Sequence, residues 1–314
     1  MPLIELYPDR ELWLDARERS VGGSEAYQAA FEPFPLWCKK SGLISGDKPD
    51  LAVRFRVGHH LEPLVHEFAT AAGFHLWDPG DFTLFRSRTA PQTATPDRLW
   101  MPEPLESYPH HRVSLAGIKA MYRQAIGPAE FKTVSVYAVN GEPPFADWSA
   151  EEPSTYALMQ CQHTMAVLEK ESCLLAALIG FDKVCFYKIE ANVVLQEALV
   201  AAERRFWDYV ESGIQPPADE SEASAAALKQ LFPSDEGTEI EFDEEMAWPW
   251  FERLETARAV KKEVELEIRN AEIPIKEAMG ANAVGLIGER GKFIWKQTKS
   301  GSRPLRLKRK ESTE

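Results

Sequence analysis

Hydrophobic positions recur along this chain with two periods, one typical of helices and one typical of strands. Segments with an apolar residue every three or four positions predict amphipathic helices; they are Gly58–Ala72, Thr155–Glu171 and Val194–Ser212. Shorter segments that alternate or are rich in β-branched residues predict strands; they are Phe82–Phe85, Gln92–Leu99, Glu130–Ala138 and Val184–Ile189. This succession of helices and strands predicts an α/β domain.

A second region follows the Pro217–Glu222 segment, whose composition predicts a linker. Asp243–Met279 predicts one long charged helix. Three short strands separated by glycine-containing turns are expected after it, at Val284–Ile287, Phe293–Gln297 and Leu305–Arg309. We therefore divide the chain into a core, residues 1–217, and a C-terminal extension of one helix and short strands, residues 218–314.

Several classes of protein are disfavoured by the composition. The chain has no run of 18 apolar residues and no basic N-terminal region leading into an apolar stretch, so neither a transmembrane helix nor a secretory signal is expected. Its four cysteines are widely separated, at Cys38, Cys161, Cys173 and Cys185. This spacing argues against a zinc or iron–sulfur site and indicates buried thiols in a reducing compartment, so we expect a cytoplasmic protein.

Charge is distributed unevenly along the chain, whose net charge is −13. Ten acidic residues and one base, Lys229, lie between Asp219 and Glu245, whereas eight bases and no acid lie between Lys292 and Lys310. The basic segment suits a polyanion, because phosphate contacts need lysine and arginine. It is equally compatible with a solvated tail, and both interpretations stay open.

Four charged residues in three separate segments suggest a catalytic site. Glu62 lies at the start of a predicted helix, Asp97 follows Pro96 at the end of a predicted strand, and Glu130 and Lys132 lie on the next strong strand. Because side chains alternate along a strand, Glu130 and Lys132 share a face and can enter one site together. Glu-x-Lys alone is a weak motif; the order of the three pieces makes the pattern specific.

These residue types suit hydrolysis of a phosphodiester. The carboxylates of Asp97 and Glu130 are hard oxygen ligands for Mg²⁺, for which Mn²⁺ would substitute, and we expect the backbone carbonyl of Phe131 to join them. Glu62 would complete the metal's ligands or position a bound water. Lys132 would orient the attacking water and neutralise charge in the transition state. Each residue also has a structural explanation: Glu62 favours a helix start, Asp97 a turn, and Glu130 and Lys132 an exposed strand face.

At this point the chain resembles the YqaJ-like viral recombinase family, which includes lambda exonuclease and related phage alkaline exonucleases. The matching pieces follow the family's order: Trp13 with Arg17, Val21–Ala26, Pro35–Gly42, Leu61–Pro63, Pro96-Asp97, Glu130–Lys132, Tyr156–Met165 and Phe206–Val210. The resemblance covers about residues 10–217. It implies a restriction-endonuclease-like PD-(D/E)xK core, in which helices flank a mixed central sheet.

The resemblance also implies roles for individual residues. In these exonucleases an arginine and a serine seven residues later hold the terminal 5′-phosphate, which here would be Arg17 and Ser24. Thr95 and Gln160 fall where the family places further polar contacts to phosphate or water, and Trp13 is expected near DNA. A helix start at residues 22–24 would offer free N–H groups to the phosphate, although Ser24 is also explained as a helix cap.

The activity implied by the resemblance is Mg²⁺-dependent 5′→3′ digestion of double-stranded DNA ends in the bacterial host cytoplasm. The product would be a 3′ single-stranded tail for a strand-annealing recombinase, and the family implies a homotrimeric ring. A RecB-type or restriction-like nuclease on the same core is one alternative. A non-catalytic DNA-binding or assembly protein that retains the fold is another, and the retained carboxylates and Lys132 argue against it.

Two features depart from the family's pattern. The spacing between Asp97 and Glu130 is long, because Pro102–Gly127 intervenes, and we expect this segment to loop out as an insertion. Arg98 follows Asp97 where the family commonly has glycine, which makes a sharp turn less easy but offers a contact to DNA.

Overall fold

The computed structural model describes residues 1–45, 49–105, 113–134, 148, 152–180, 183–298 and 301–310. These residues form two compact units, Met1–Ser234 and Asp235–Glu314. The last part of the strand predicted at Glu130–Ala138 lies outside the described residues.

The first unit contains most of the secondary structure. Its strands are β1 (Leu3–Leu6), β2 (Val21–Gly22), β3 (His75–Trp77), β4 (Thr83–Arg86), β5 (Gln92–Ala94), β6 (Arg98–Met101), β7 (Gly127–Val134), β8 (Ser172–Ile179) and β9 (Lys183–Glu190). Its helices are α1 (Arg10–Glu18), α2 (Ala26–Phe31), α3 (Pro33–Lys40), α4 (Pro49–Ala71), α5 (Leu115–Gln124), α6 (Thr155–Leu168), α7 (Val193–Ser212) and α8 (Glu222–Leu231). A 3₁₀ turn, Gly23–Glu25, precedes α2.

The central sheet is mixed, as expected. Its strand order is β3-β6-β7-β8-β9. Only the β7–β8 pair is parallel, with Glu130 beside Leu175 and Lys132 beside Ala177. Gly127 at the start of β7 permits the close approach of these strands, because a Cβ there would lie 1.7 Å from the Ser172 carbonyl oxygen.

Helices cover both faces of this sheet. Alternate side chains of β8 point to opposite faces: Leu175 and Ala177 pack with residues of α6, whereas Leu174 and Ala176 pack with Val65 of α4. All four side chains are fully buried. A fully buried strand lacks the alternation of apolar and polar residues, which is why the sequence pattern did not predict β8.

A second, four-stranded sheet has the order β1-β4-β5-β2. Its β2–β5 pair is parallel and sets Gly22 beside Thr93. The predicted strand Gln92–Leu99 is divided into β5 and β6 at Thr95–Asp97, because Pro96 has no N–H to continue the ladder. Asp97 therefore lies between two sheets rather than at the end of one long strand.

Two local predictions were wrong. Pro102–Gly127 does not loop out as an insertion: α5, which lies within it, buries Ile118, Met121 and Tyr122 in a cluster with Phe85. Glu62 does not open a helix, since α4 begins 13 residues earlier at Pro49 (62 − 49 = 13) and Glu62 lies in its middle.

The boundary between the units also differs from the expected one after residue 217. Helix α8 belongs to the first unit, because Ala227 is buried in the cluster that contains Phe34 and Phe206. Prolines at 216 and 217 therefore precede a packed helix rather than a free linker.

The second unit begins with α9 (Glu244–Met279), as the sequence predicted. An antiparallel sheet of β10 (Val284–Ile287), β11 (Gly291–Trp295) and β12 (Leu305–Arg309) follows it. Across the described parts of both units, no helix combines the length and apolarity needed to cross a bilayer.

Candidate active site

The turn before β6 is tied to the strand that carries the Glu-x-Lys motif. The Oδ2 atom of Asp97 accepts a hydrogen bond of 2.6 Å from the backbone N–H of Phe131. Phe131 is the residue between Glu130 and Lys132. This hydrogen bond and the antiparallel pairing of β6 with β7, which sets Arg98 opposite Ala129, bring the Pro-Asp and Glu-x-Lys segments together, although Asp97 and Glu130 are 33 positions apart (130 − 97 = 33).

Glu130 is held by helix α6 from the opposite side. Its Oε2 accepts a hydrogen bond of 2.6 Å from Nε2 of Gln160, and its Oε1 accepts one of 3.0 Å from the hydroxyl of Thr164. Gln160 and Thr164 are four residues apart, so they lie on one face of the helix. The carboxylate is almost completely buried, with 2% of the residue exposed.

Burial and crowding of negative charge dominate the electrostatics of the site. Burial first, and the nearby Asp97 second, raise the pKa of Glu130 to about 8, against the opposing effects of Lys132, Thr164 and Gln160. Burial also raises the pKa of Asp97, although Lys132 and the Phe131 N–H lower it. Lys132 is thus close enough to both carboxylates to favour their charged forms.

Glu62 approaches the same region from α4. Burial raises the pKa of its carboxyl and repulsion from Asp97 raises it further, while His59 lowers it. The Oε2 of Glu62 lies 3.3 Å from Nδ1 of His59. Glu62 therefore borders the Asp97 carboxylate but is turned toward its own helix neighbour.

The described residues fit a cation with two carboxylate ligands better than one with three. No three His, Cys, Asp or Glu side chains among them are arranged to hold a metal ion, so the expected set of Glu62, Asp97 and Glu130 is not assembled. The Asp97–Glu130 pair does converge, and burial raises the pKa of both carboxyl groups, with the nearby Asp97 adding to the effect on Glu130. Oε1 of Gln160 is also buried without a hydrogen-bond donor among the described residues. Buried hard oxygens of this kind suit a divalent cation.

A cavity of about 870 Å³ opens over Asp97. Glu62 and Thr95 line it, and so do four arginines, Arg10, Arg17, Arg56 and Arg98. Arg98 is held there by Asp78, whose Oδ2 lies 3.3 Å from its Nη2, and its guanidinium lies 5.7 Å from the Phe131 ring centre. Asp78 and Asp81 also line the cavity, so it offers four carboxylates for a cation as well as four guanidinium groups for a phosphate.

Arg17 and Trp13, the predicted DNA contacts on α1, both line this cavity. The Arg17 guanidinium lies 4.5 Å from the centre of the Trp13 ring. Burial lowers the pKa of Arg17, while Glu25 and Glu130 raise it. This guanidinium is therefore partly desolvated, and it lies within electrostatic reach of Glu130.

The structure does not bring Ser24 to the cavity. Ser24 is exposed, and its carbonyl accepts a hydrogen bond from the Tyr156 hydroxyl. The expected free N–H groups at residues 22–24 are also reduced in number, because Gly22 donates to the Glu25 carboxylate at 3.0 Å. Glu25 in turn pairs with Lys40 at 2.8 Å. An acidic side chain thus caps the turn where a phosphate was expected.

Behind the site, a buried network of polar groups joins α6 to its neighbours. Nδ1 of His163 lies 2.8 Å from the carboxylate of Glu203, and Nε2 lies 2.9 Å from the Thr93 carbonyl. Gln92 donates to the second carboxylate oxygen of Glu203. As the sequence indicated, His163 is a structural histidine with satisfied hydrogen bonds.

Sequence reasoning missed Thr164 and the arginines at 10 and 56. Thr164 carried a usable signal, because it lies one helical turn after Gln160. Arg10 and Arg56 carried a weaker signal: Arg10 lies three residues before Trp13 and seven before Arg17 on α1, and Arg56 lies on α4 with Glu62.

No family model matches the chain. A curated relative, "Uncharacterized protein YqaJ" of Bacillus subtilis (strain 168), is 26% identical over 292 residues, covering 89% of this chain and 81% of that protein. This relative confirms the resemblance to YqaJ-like proteins.

Solved structures also resemble the chain. An alkaline exonuclease (LHK-Exo) from Laribacter hongkongensis is 17% identical with a TM-score of 0.44, covering 65% of this chain and 94% of that one. LHK-Exo in complex with dAMP is 18% identical with a TM-score of 0.45 and the same coverage. SSO0001 is 11% identical with a TM-score of 0.35, covering 71% of this chain and 95% of that one.

Proposed function

We propose that this chain is a Mg²⁺-dependent nuclease that digests double-stranded DNA from its 5′ ends. The convergence of Asp97, Glu130 and Lys132 carries this proposal, because Asp97 also lines the arginine-containing cavity. The first two side chains, with the Phe131 carbonyl, would hold the ion. When bound, the ion supplies a Lewis acid for the scissile phosphate.

The chain's own residues would perform the remaining steps. Lys132 orients the attacking water and neutralises negative charge that develops on the phosphate oxygens. Gln160 and Thr164 hold Glu130 in place by hydrogen bonds. Water adds to phosphorus and the P–O3′ bond breaks, which releases a mononucleotide and leaves a new 5′-phosphate on the shortened strand.

Arg17 would give the enzyme its polarity. Its guanidinium is partly buried and therefore weakly hydrated, which strengthens a charge-assisted hydrogen bond to a terminal phosphate. The guanidinium lies over the Trp13 ring, 4.5 Å from its centre, which favours a fixed position for it. Because each cleavage regenerates a 5′-phosphate, the same pocket would serve every cycle. Thr95, which also lines the cavity, is the remaining polar candidate for this contact.

The acidic net charge is compatible with DNA binding because basic residues are concentrated on the C-terminal sheet. Lys292 lies directly opposite Lys308, and Ile294 opposite Arg306, so the three bases share one face. Like charges placed directly opposite each other destabilise a sheet, and a phosphate backbone would relieve that repulsion. We propose that this face of the second unit also binds DNA.

The wider biological role follows from the resemblance. Digestion from 5′ ends leaves a 3′ single-stranded tail, the substrate of a strand-annealing recombinase, and a homotrimeric ring would keep the enzyme on one duplex. A RecB-type or restriction-like nuclease would use the same site, and a circular substrate separates it from an end-dependent enzyme. A non-catalytic DNA-binding protein would bind ends without cleaving them.

Digestion of end-labelled linear duplex tests the proposal directly. Linear and circular DNA are incubated with full-length chain in Mg²⁺ or EDTA. We expect mononucleotides from the linear substrate with Mg²⁺ alone. Lys132→Met should reduce cleavage by about 10²–10³-fold, the usual loss when one transition-state contact is removed, with DNA binding retained. Lys183→Ala, an exposed lysine on β9, is the control. Full activity of Lys132→Met would refute the mechanism.

A further inference from the structure

Within the second unit, helix α9 presents an apolar seam that the rest of that unit leaves exposed as far as Ala271; Ile275 and Ala278 beyond it line a pocket with Phe293. Its residues are exposed almost without exception from Glu244 to Ala271. Large apolar side chains along it are about half exposed: Trp250 at 58%, Leu254 at 51%, Val264 at 52% and Ile268 at 53%. A helix of 36 residues gains most of its stability from packing an apolar face, so this face indicates a partner.

The spacing of these residues is that of a coiled coil. Positions separated alternately by four and three residues are Ala247, Trp250, Leu254, Ala257, Lys261, Val264, Ile268, Ala271, Ile275 and Ala278. Nine of the ten are apolar, and the seven-residue repeat continues for more than four heptads. An apolar seam of this kind is buried when two helices supercoil around each other.

Charges beside the seam decide between the two orientations of a self-paired helix. In a parallel pair, the residue directly before a seam position such as Leu254 lies beside a residue of the second copy. That residue is five places further along the chain and directly follows another seam position. Arg253 would then face Arg258 of the second copy, and Glu267 would face Glu272. Both contacts repel, and each occurs twice by symmetry.

An antiparallel pair removes this repulsion. With the two-fold axis between Lys262 and Glu263, Leu254 packs on Ala271 of the second copy and Ala257 packs on Ile268. Leu254 and Ile268 thus meet alanines, Trp250 meets Ile275 and Ala247 meets Ala278, so each seam position has a partner. In this register Arg258 lies beside Glu265 of the second copy, and this attractive pair also occurs twice.

We propose that two copies of this chain associate through an antiparallel coiled coil of their α9 helices, in the register that pairs Leu254 with Ala271. Lys261 lies near the centre of the seam, opposite Val264 of the second copy. A single polar residue at such a position fixes register at some loss of stability. The interaction is independent of the nuclease site and of any contact between the first units.

The contact between Arg258 and Glu265 of the second copy is tested by reversing one charge and by exchanging both. Sedimentation equilibrium of the full chain is measured for the wild type, Arg258→Glu, and Arg258→Glu combined with Glu265→Arg. We expect Arg258→Glu to weaken self-association about tenfold, since two attractive contacts become repulsive, and the double variant to restore it. Arg269→Glu, with the same charge change outside the seam, should have little effect. Equal association of all variants would overturn the proposal.

Disulfide trapping tests the orientation. Leu254→Cys combined with Ala271→Cys should form a covalent dimer under mild oxidation, because the two positions meet across the pair. Leu254→Cys alone should not, since its copies lie about 25 Å apart along the axis, at 1.5 Å per residue. The native cysteines are buried. A dimer from the single variant would establish a parallel pair, and no dimer from the double variant would exclude this register.

Discussion

His163 and Glu203 form a completely buried pair that joins helix α6 to helix α7, with 2.8 Å between Nδ1 and the carboxylate. The other ring nitrogen lies 2.9 Å from the Thr93 carbonyl. Because both ring nitrogens face acceptors, the imidazole is best satisfied when it is protonated. Helix α6 also carries Gln160 and Thr164, so this pair positions the residues that hold Glu130.

Removing one partner of this pair should destabilise the first unit. Replacement of His163 by alanine leaves the Glu203 carboxylate buried without a cation, which costs about 3–5 kcal/mol in comparable sites. The free energy of unfolding is measured in urea for the wild type and His163→Ala. Glu197→Ala, on the same helix as Glu203 but exposed, is the control. A loss below about 1 kcal/mol would show that the pair contributes no more than a surface contact.

The same pair predicts a dependence of stability on pH. Burial alone lowers the pKa of His163, but Glu203 and the Thr93 carbonyl outweigh it, so that the pKa is raised above its usual 6.5. A histidine with a raised folded pKa contributes stability that is full below 6.5 and is lost as pH rises through the folded pKa. The free energy of unfolding in urea is measured for the wild type and His163→Gln between pH 5 and 9. It should fall more steeply with pH in the wild type, because only the wild type loses this contribution. Parallel curves would contradict it.

Glu130 should make the metal-free protein less stable as pH rises. Its pKa moves from 4.5 to about 8 on folding, so between these values the folded chain holds a proton that the unfolded chain has lost, and the free energy of unfolding falls. In EDTA, Glu130→Gln should abolish this decline. Mg²⁺ should stabilise the wild type more at pH 9 than at pH 6, because the ligand is then charged. Equal stabilisation at both values would argue against Glu130 as a ligand.

Substitutions of Arg17 and of Ser24 should differ in their effect on the preference for 5′-phosphate ends. Arg17→Ala should erase a preference for 5′-phosphate over 5′-hydroxyl ends, measured as the ratio of kcat/KM on the two substrates. Arg19→Ala, an exposed arginine on the same stretch, is the control. Ser24→Ala should change the ratio less than about twofold, which is well under 1 kcal/mol, because Ser24 does not line the cavity. An unchanged ratio in Arg17→Ala would reject this pocket.

The basic face of the C-terminal sheet should contribute to the salt dependence of DNA binding. Lys292→Ala with Lys308→Ala should lower the slope of log K against log salt concentration by about 1.8, from two lost phosphate contacts. The double variant Lys183→Ala with Lys229→Ala removes the same charge elsewhere. Equal slopes for the two double variants would show that this face lies away from the DNA.

The sequence predicted those parts of the fold that have a visible periodicity. Helices α6, α7 and α9 lie within three residues of their expected bounds, because apolar residues recur along each of them at helical spacing. Strand β8 was missed because both of its faces are buried and its residues do not alternate. Helix α5 was missed although Leu115, Ile118, Met121 and Tyr122 have helical spacing behind the Ser114 cap.

The sequence by itself determined which residue types were available and in what order: Glu62, Asp97, Glu130, Lys132 and, on a helical face, Gln160. Only the tertiary structure decided which of them meet. The hydrogen bond from Phe131 brings Asp97 to Glu130, α6 buries Glu130, and Glu25 rather than a free N–H group occupies the turn at Gly22. Periodicity reports local geometry, whereas burial and the pKa values that follow from it depend on neighbours tens of residues away along the chain.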